Sequence, residues 1–308
     1  MSSGSEWVYV KPPQRIEFFG EVKHRLVSPT EREIEIVVKP DESLGFELAI
    51  AALALDGSRS MLRTYAAHLP KMIRRKQNKI HPVAQELASF LAKNSSNQCA
   101  IAYWACGDDG SEVEPIGIMG TSDIQNYDFA GATNWGGGTK ITPIVQYFWE
   151  QLFAGTDKVG MAVILTDGAW DDDDNERLFE LTEVMCQEVG SGQRQLMKCV
   201  ILGLKTEDNK NELDRIDARF NAIDNYESSV DVDIWYTSWV DELEDWIDLF
   251  IELVKDWTLG VGGFVEVQGQ KVLQQDEFQF GVQFTAPAGA TSFTIHLDGL
   301  GDYTQEIV

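Results

Sequence analysis

Apolar residues alternate with polar ones at both ends of the chain and gather into unbroken runs through its middle. Near the N-terminus Ile34, Ile36 and Val38 alternate within Glu33–Val38 (EIEIVV), the period of a half-buried strand, and Lys39-Pro40-Asp41 punctuates the pattern. Near the C-terminus Phe278, Phe280, Val282 and Phe284 alternate in EFQFGVQF. After a Pro-Ala-Gly turn, Phe293, Ile295 and Leu297 do the same in SFTIHL. Neither end holds enough strands to bury a core alone. The two ends, 1–42 and 259–308, are therefore expected to pair into one smaller β-sandwich, with the middle of the chain inserted into it.

Between 43 and 258 apolar runs alternate with helical segments. Leu48–Leu55 fits a strand or a helix equally well by periodicity. Basic, helical-looking sequence follows to about Lys93. Cys99–Ala105 reads as a strand, Gly107–Gly110 as a hairpin-type turn, and Val113–Met119 as an antiparallel return. Gly136–Gly138 lead into a helix over 139–153. Val159–Leu165 and Met197–Leu204 are buried strands, and Val232–Tyr236 is a further strand. Asn175–Val189, Asn211–Ile223 and Asp241–Trp257 are helices. This alternation predicts an α/β fold: a doubly wound, mostly parallel, Rossmann-like sheet covered on both faces.

Composition narrows the function classes. The 308 residues carry 50 acids against 25 bases, a net charge of −25, which disfavours nucleic-acid backbones and anionic membranes as partners. No stretch approaches the roughly 20 apolar residues of a membrane span, and MSSGSEWVYVKPPQ lacks a signal peptide's apolar core. A cytoplasmic location is expected. Cys99, Cys106, Cys186 and Cys199 sit in apolar contexts without CxxC spacing, as buried thiols do. The charge is uneven, however. From Gly57 to Gln85 there are 7 bases (Arg59, Arg63, Lys71, Arg74, Arg75, Lys76, Lys79) and no acid, which makes either a solvated face or a docking patch for an acidic partner.

In open α/β sheets ligands bind beyond the carboxyl ends of the strands, so residues that follow the apolar runs carry the candidate chemistry. After the first run comes Asp56-Gly57-Ser58-Arg59-Ser60, and after Val159–Leu165 comes Thr166-Asp167-Gly168. Thr139 lies between them, directly behind three glycines. Thr133 and Thr142 are nearby, but Thr139 follows the glycines immediately. Two carboxylates and three hydroxyls at one sheet edge suit a hard cation such as Mg2+, which takes few carboxylates and completes an octahedron with neutral oxygens; Mn2+ and Ca2+ are alternatives.

These residues resemble the metal-ion-dependent adhesion site of von Willebrand factor A (vWA) domains, intracellular bacterial type. The resemblance rests on DGSRS at 56–60, GGGT at 136–139 and LTDG at 165–168, and it covers about 43–258. It implies metal-ligand roles for Asp56, Ser58, Ser60, Thr139 and Asp167, with the ion gripping an Asp or Glu of a partner protein. It also implies work within a cytoplasmic or stress-response assembly, beside a MoxR-type ATPase. Arg59 stands where the family often has Gly, placing a cation beside the metal that would either repel the ion slightly or add a second contact to an incoming carboxylate. Trp135 and Trp170 either wall the crevice and offer apolar contact to a partner or pack in the core or rim.

Asp171–Asp174 could bind Ca2+, but such a run is more often a solvated loop at a helix N-terminus. His24, His68, His81 and His296 lack ligand or triad spacing, and no phosphate-cradling or nucleophile-elbow motif occurs. The expectation is a metal-dependent interaction module and not an enzyme. The alternatives are a metal-independent scaffold subunit and a metal-dependent phosphatase or hydrolase that uses Asp56 and Asp167.

Overall fold

A computed structural model describes residues 6–39, 48, 50–157, 159–168, 170–206, 209–242, 254 and 259–307. The N-terminal strands are β1 (Val8–Tyr9), β2 (Phe19–Leu26) and β3 (Glu31–Val38). The central ones are β4 (Ala51–Asp56), β5 (Cys99–Cys106), β6 (Glu112–Met119), β7 (Gly160–Thr166), β8 (Met197–Gly203) and β9 (Trp235–Trp239). At the C-terminus come β10 (Gly263–Val267), β11 (Gln270–Gln275), β12 (Gly281–Pro287), β13 (Ser292–Leu297) and β14 (Gly301–Glu306). The α-helices are α1 (Lys71–Gln77), α2 (Ile80–Lys93), α3 (Thr121–Asn126), α4 (Thr142–Tyr147), α5 (Asn175–Gly190) and α6 (Leu213–Asp224). The chain divides into two units: 47–244, and the two ends 1–46 with 245–308.

The unit made of the two ends contains two four-stranded antiparallel sheets, β1-β2-β3-β12 and β11-β10-β13-β14. Pairing of β12 with β3, Val282 opposite Ile36 and Phe284 opposite Ile34, joins the far ends of the chain. The inner faces of the sheets meet through Phe293, whose ring lies 5.7 Å from Phe19 and 5.3 Å from Phe284, both edge-on. Arg32 of β3 also donates to the carbonyl of Ile307 at 2.9 Å.

The 47–244 unit is built on a six-stranded sheet of order β6-β5-β4-β7-β8-β9. Its five strands from β5 to β9 run parallel, and β6 is the antiparallel edge. Every residue of β4, β5, β7 and β8 is buried, because helices cover both faces. On one face Ala52, Ala54, Ile164 and Ile201 pack with Ile144 of α4, Leu178 of α5 and Phe220 of α6. The buried side of α2 (Ile80, Ala84, Leu87, Leu91) does not belong to that cluster and faces the other side of the sheet. Each fully buried Ile or Leu contributes on the order of 1.5–3 kcal/mol, so this double-sided core fixes the strand ends firmly.

Several sequence readings shift. The 48–55 run resolves as strand from Ala51 onward, since it sits between β5 and β7, where only a ladder satisfies its backbone. The helix expected over 139–153 begins at Thr142 and passes into a π-turn at Phe148–Leu152, which leaves Thr139 in the preceding loop. The strand expected at Val232–Tyr236 lies at Trp235–Trp239. The helix expected at Asp241–Trp257 lies almost wholly outside the described residues.

Candidate metal centre

Asp56 ends β4 with β5 on one side and β7 on the other, so the loop after it leaves from the middle of the sheet's carboxyl edge. The carboxylate is fully buried and tethered on both oxygens. Oδ1 accepts the Ser58 N–H at 2.8 Å, and Oδ2 accepts the Thr166 hydroxyl at 2.7 Å. The same Thr166 oxygen accepts the Gly168 N–H at 3.0 Å, which fixes the turn that carries Asp167. Burial pushes the Asp56 carboxyl up to about 7, and the Asp167 carboxylate adds to that rise, against the opposing pull of the Ser58 and Thr166 hydrogen bonds. No basic side chain hydrogen-bonds Asp56 among the described residues. The end of β4 is thus a place of uncompensated negative charge.

Ser58 is buried and Ser60 exposed, and their Oγ atoms lie 2.9 Å apart. Two oxygens at right angles around Mg2+, each at its usual bond length, sit about 2.9 Å from one another, so the serine pair has the spacing of adjacent octahedral ligands. Among the described residues no three His, Cys, Asp or Glu side chains form a metal-holding group. A cation here would therefore take hydroxyl oxygens together with the carboxylates, and this donor chemistry suits a hard divalent ion.

The glycines of 136–138 are explained by close packing of loops. Gly136 N–H donates to Gly57 O at 3.0 Å, and Arg59 N–H to Gly136 O at 3.1 Å, so the 136 loop runs alongside the serine loop. A Cβ on Gly136 would lie 1.8 Å from the Ala105 carbonyl, and one on Gly137 2.3 Å from that of Asp108. Only glycine permits this approach. Thr139 is 7% exposed and connects to the Asp167 loop through its backbone: its carbonyl accepts the Asp171 N–H at 2.8 Å, and its N–H donates to Asp171 Oδ2 at 3.3 Å. Asp167 is buried, and its carbonyl accepts the Asn209 side-chain amide at 2.8 Å.

The loops of all five expected ligands are thus tied together by hydrogen bonds. Asp56, Ser58 and Ser60 are linked through side chains, Asp167 acts on Asp56 through its charge, and Thr139 is linked through its backbone. Arg59 is exposed beside the serines. Trp135 is half-buried with its ring edge-on to Tyr65 at 5.3 Å. Trp170 departs from the crevice-wall reading. It is 3% exposed, stacked on Phe220 at 6.0 Å and beneath the Arg219 guanidinium at 4.8 Å, and its indole N–H donates to Asn175 at 2.9 Å. Both of its faces are packed, so it supports the Asp167 loop from below and offers no wall to a partner.

Three acids of the 171–174 run have partners within the fold. Asp171 holds Thr139, Asp172 pairs with Arg215 and Arg219, and buried Asp174 accepts the Thr142 N–H at 2.8 Å at the start of α4. Sequence reasoning passed over Thr166, Asp171, Asp174 and Asn209 as parts of the site. For Thr166 a signal existed, since a hydroxyl residue ending a wholly apolar strand needs a polar partner there.

No protein-family model matches the chain, and no curated protein matches it. Among solved structures it is similar to an aerotolerance-related membrane protein from Bacteroides fragilis, with 15% identity and a TM-score of 0.31, over 50% of this chain and 67% of that one. It is also similar to the conserved hypothetical protein BatB from Bacteroides thetaiotaomicron, with 14% identity and a TM-score of 0.34, over 51% of this chain and 66% of that one. The pilus adhesin SpaC from Lactobacillus rhamnosus GG matches over 98% of this chain and 48% of its own length, with 12% identity and a TM-score of 0.39. The chain thus spans about two thirds of the first two proteins and about half of the third. At these values the likenesses support no functional statement.

Proposed function

We propose that this protein is a metal-dependent interaction module in which Asp56, Ser58, Ser60, Thr139 and Asp167 hold one Mg2+ that takes a carboxylate from a partner's Asp or Glu. The observation that carries this reading is the 2.9 Å Ser58–Ser60 hydroxyl pair, attached to a buried Asp56 whose carboxyl is pushed up to about 7 beside Asp167. A divalent ion removes that electrostatic cost, because it lets both carboxylates remain ionised where they are buried. When bound, the ion supplies a Lewis-acidic position open to an anionic oxygen. Asp56 and Asp167 set the charge, Ser58 and Ser60 supply neutral donors that leave the ion electron-poor, and Thr139 is held close by Asp171. Arg59, exposed beside the serines, adds a second contact for the incoming carboxylate.

This arrangement resembles the vWA adhesion site, and by that resemblance the partner belongs to a cytoplasmic multiprotein assembly of the kind built around MoxR-type ATPases. The four cysteines are free and buried, which fits a reducing compartment. A phosphatase or hydrolase reading gains less support, since the remaining acid beside the proposed ligands, Asp171, is engaged with the backbone of Thr139.

The test is affinity capture with the full chain in Mg2+. On this reading a bound partner is released by EDTA and is absent from Ser58→Ala columns. Partners indifferent to both would contradict it and favour a scaffold subunit.

A further inference from the structure

Beginning at Asp172 and Asn175, an apolar-floored groove of about 770 Å³ runs along α5. Its floor is the Phe179–Tyr226 pair, whose rings stack at 5.1 Å with a 7° interplanar angle. Its walls carry Asp172, Glu176, Glu180 and Glu183 and no base. Asp172 and Glu183 are engaged by Arg215 and Ser229 respectively. Glu176 and Glu180, one turn apart and exposed, have no ion-pair or hydrogen-bond partner among the described residues.

The same chain displays a shape of opposite character. Helix α1 (KMIRRKQ) presents Met72, 88% exposed, and Ile73, 48% exposed, flanked by Lys71, Arg74 and Lys76. None of these three bases has an ion-pair partner among the described residues. A large exposed Met on a basic helix has no role in the chain's own core, and a polarizable unbranched side chain adapts well to an aromatic floor. The buried side of α2, the helix that follows α1, does not belong to the cluster that α5 joins and faces the other side of the central sheet.

We infer that α1 of one copy docks, Met72 first, into the Phe179–Tyr226 groove of a second copy, with Lys71 and Lys76, which flank Met72 on the helix, meeting Glu176 and Glu180. The two surfaces differ, so the contact is heterologous and extends head to tail. The net charge of −25 opposes association. At physiological salt, however, the Debye length is about 8 Å, so remote acids are screened while the facing charges are not. The contact area is small, and the association is weak and salt-sensitive. This contact does not depend on the metal reading.

Sedimentation velocity of the full chain at 150 mM salt, with and without EDTA, tests the inference. The wild type is expected to form concentration-dependent oligomers, and Lys71→Glu/Lys76→Glu or Glu176→Lys/Glu180→Lys each to lower the association constant by at least about tenfold. Mixing the two variants is the sharper measurement. The intact α1 of the second variant meets the intact groove of the first, and the reversed α1 of the first meets the reversed groove of the second, so the mixture is expected to regain association. A wild type that stays monomeric near millimolar concentration, variants that associate unchanged, or a mixture that associates no better than either variant alone would each overturn the inference. All of these positions are exposed surface, and equal melting temperatures confirm that the variants fold. Retained Mg2+ binding in the variants separates failure here from failure of the metal site.

Discussion

The hydroxyl of Thr166 donates to Asp56 Oδ2 at 2.7 Å and so ties the carboxyl end of β7 to that of β4 inside the core. Through its own acceptance of the Gly168 N–H, Thr166 also fixes the turn that carries Asp167. Replacing it with the near-isosteric Val leaves Asp56 Oδ2 buried without that donor. A hydrogen bond to a charged group is worth about 1.5–3 kcal/mol. Thr166→Val is expected to lower unfolding free energy by that order and to weaken Mg2+ binding, read by denaturant titration with and without the ion.

Close approach of loops gives a second prediction. A methyl at Gly136 would sit 1.8 Å from the Ala105 carbonyl, an overlap that only backbone movement relieves. Gly136→Ala is expected to cost at least about 2 kcal/mol and to separate the serine loop from Thr139. Thermal unfolding shows the cost. Loss of the Mg2+-induced rise in Tm in a sample that is still folded shows the separation.

The charge at Asp56 sets a pH dependence. Its folded-state value of about 7 lies above its ordinary 3.8. The folded protein therefore keeps a proton that the unfolded chain has released, and metal-free stability is greatest below pH 4 as far as this group is concerned. It is lost as pH rises from about 4 to 7, by a few kcal/mol at most. Saturating Mg2+ is expected to remove this decline, and Asp56→Asn to abolish it without metal. Chemical denaturation at pH 5 and pH 7.5 in EDTA measures it. Higher stability at pH 7.5 that is attributable to Asp56 would contradict the account.

Much of the site could be read from residue order. DGSRS after an apolar run and TDG after another identify strand ends, and the sheet order puts β4 next to β7. What remained hidden was carried by side chains whose partners are remote in sequence. Asp174 reads as solvated in a run of four acids, yet it caps α4 across 32 residues. Trp170 reads equally as a crevice wall or a core residue beside Asp167, and its burial against Phe220 and Arg219 decides for the core. In the terminal unit, β2 escaped separate recognition because buried His24 interrupts the apolar alternation on its inward face. The alternating C-terminal phenylalanines, in contrast, carried the pairing of the two ends, since Phe280, Val282 and Phe284 face one core.

The acidic run and the serines make opposite predictions for binding. Asp171 touches Thr139 only through backbone and carboxylate at 3.3 Å. Asp171→Ala is therefore expected to weaken Mg2+ affinity several-fold and leave a measurable site. Ser60→Ala, which removes one of the paired hydroxyls, is expected to reduce affinity much further. Mn2+ titration followed by electron paramagnetic resonance ranks the two variants.

The central claim is that one divalent cation binds among Asp56, Ser58, Ser60, Thr139 and Asp167. Isothermal titration calorimetry of the EDTA-stripped full chain with MgCl2, repeated on Ser58→Ala, tests it most directly. The account predicts a single site per chain in the wild type and none in the variant. No binding by the wild type up to about 10 mM, an affinity of less than roughly 3 kcal/mol, or equal binding by both proteins would contradict it.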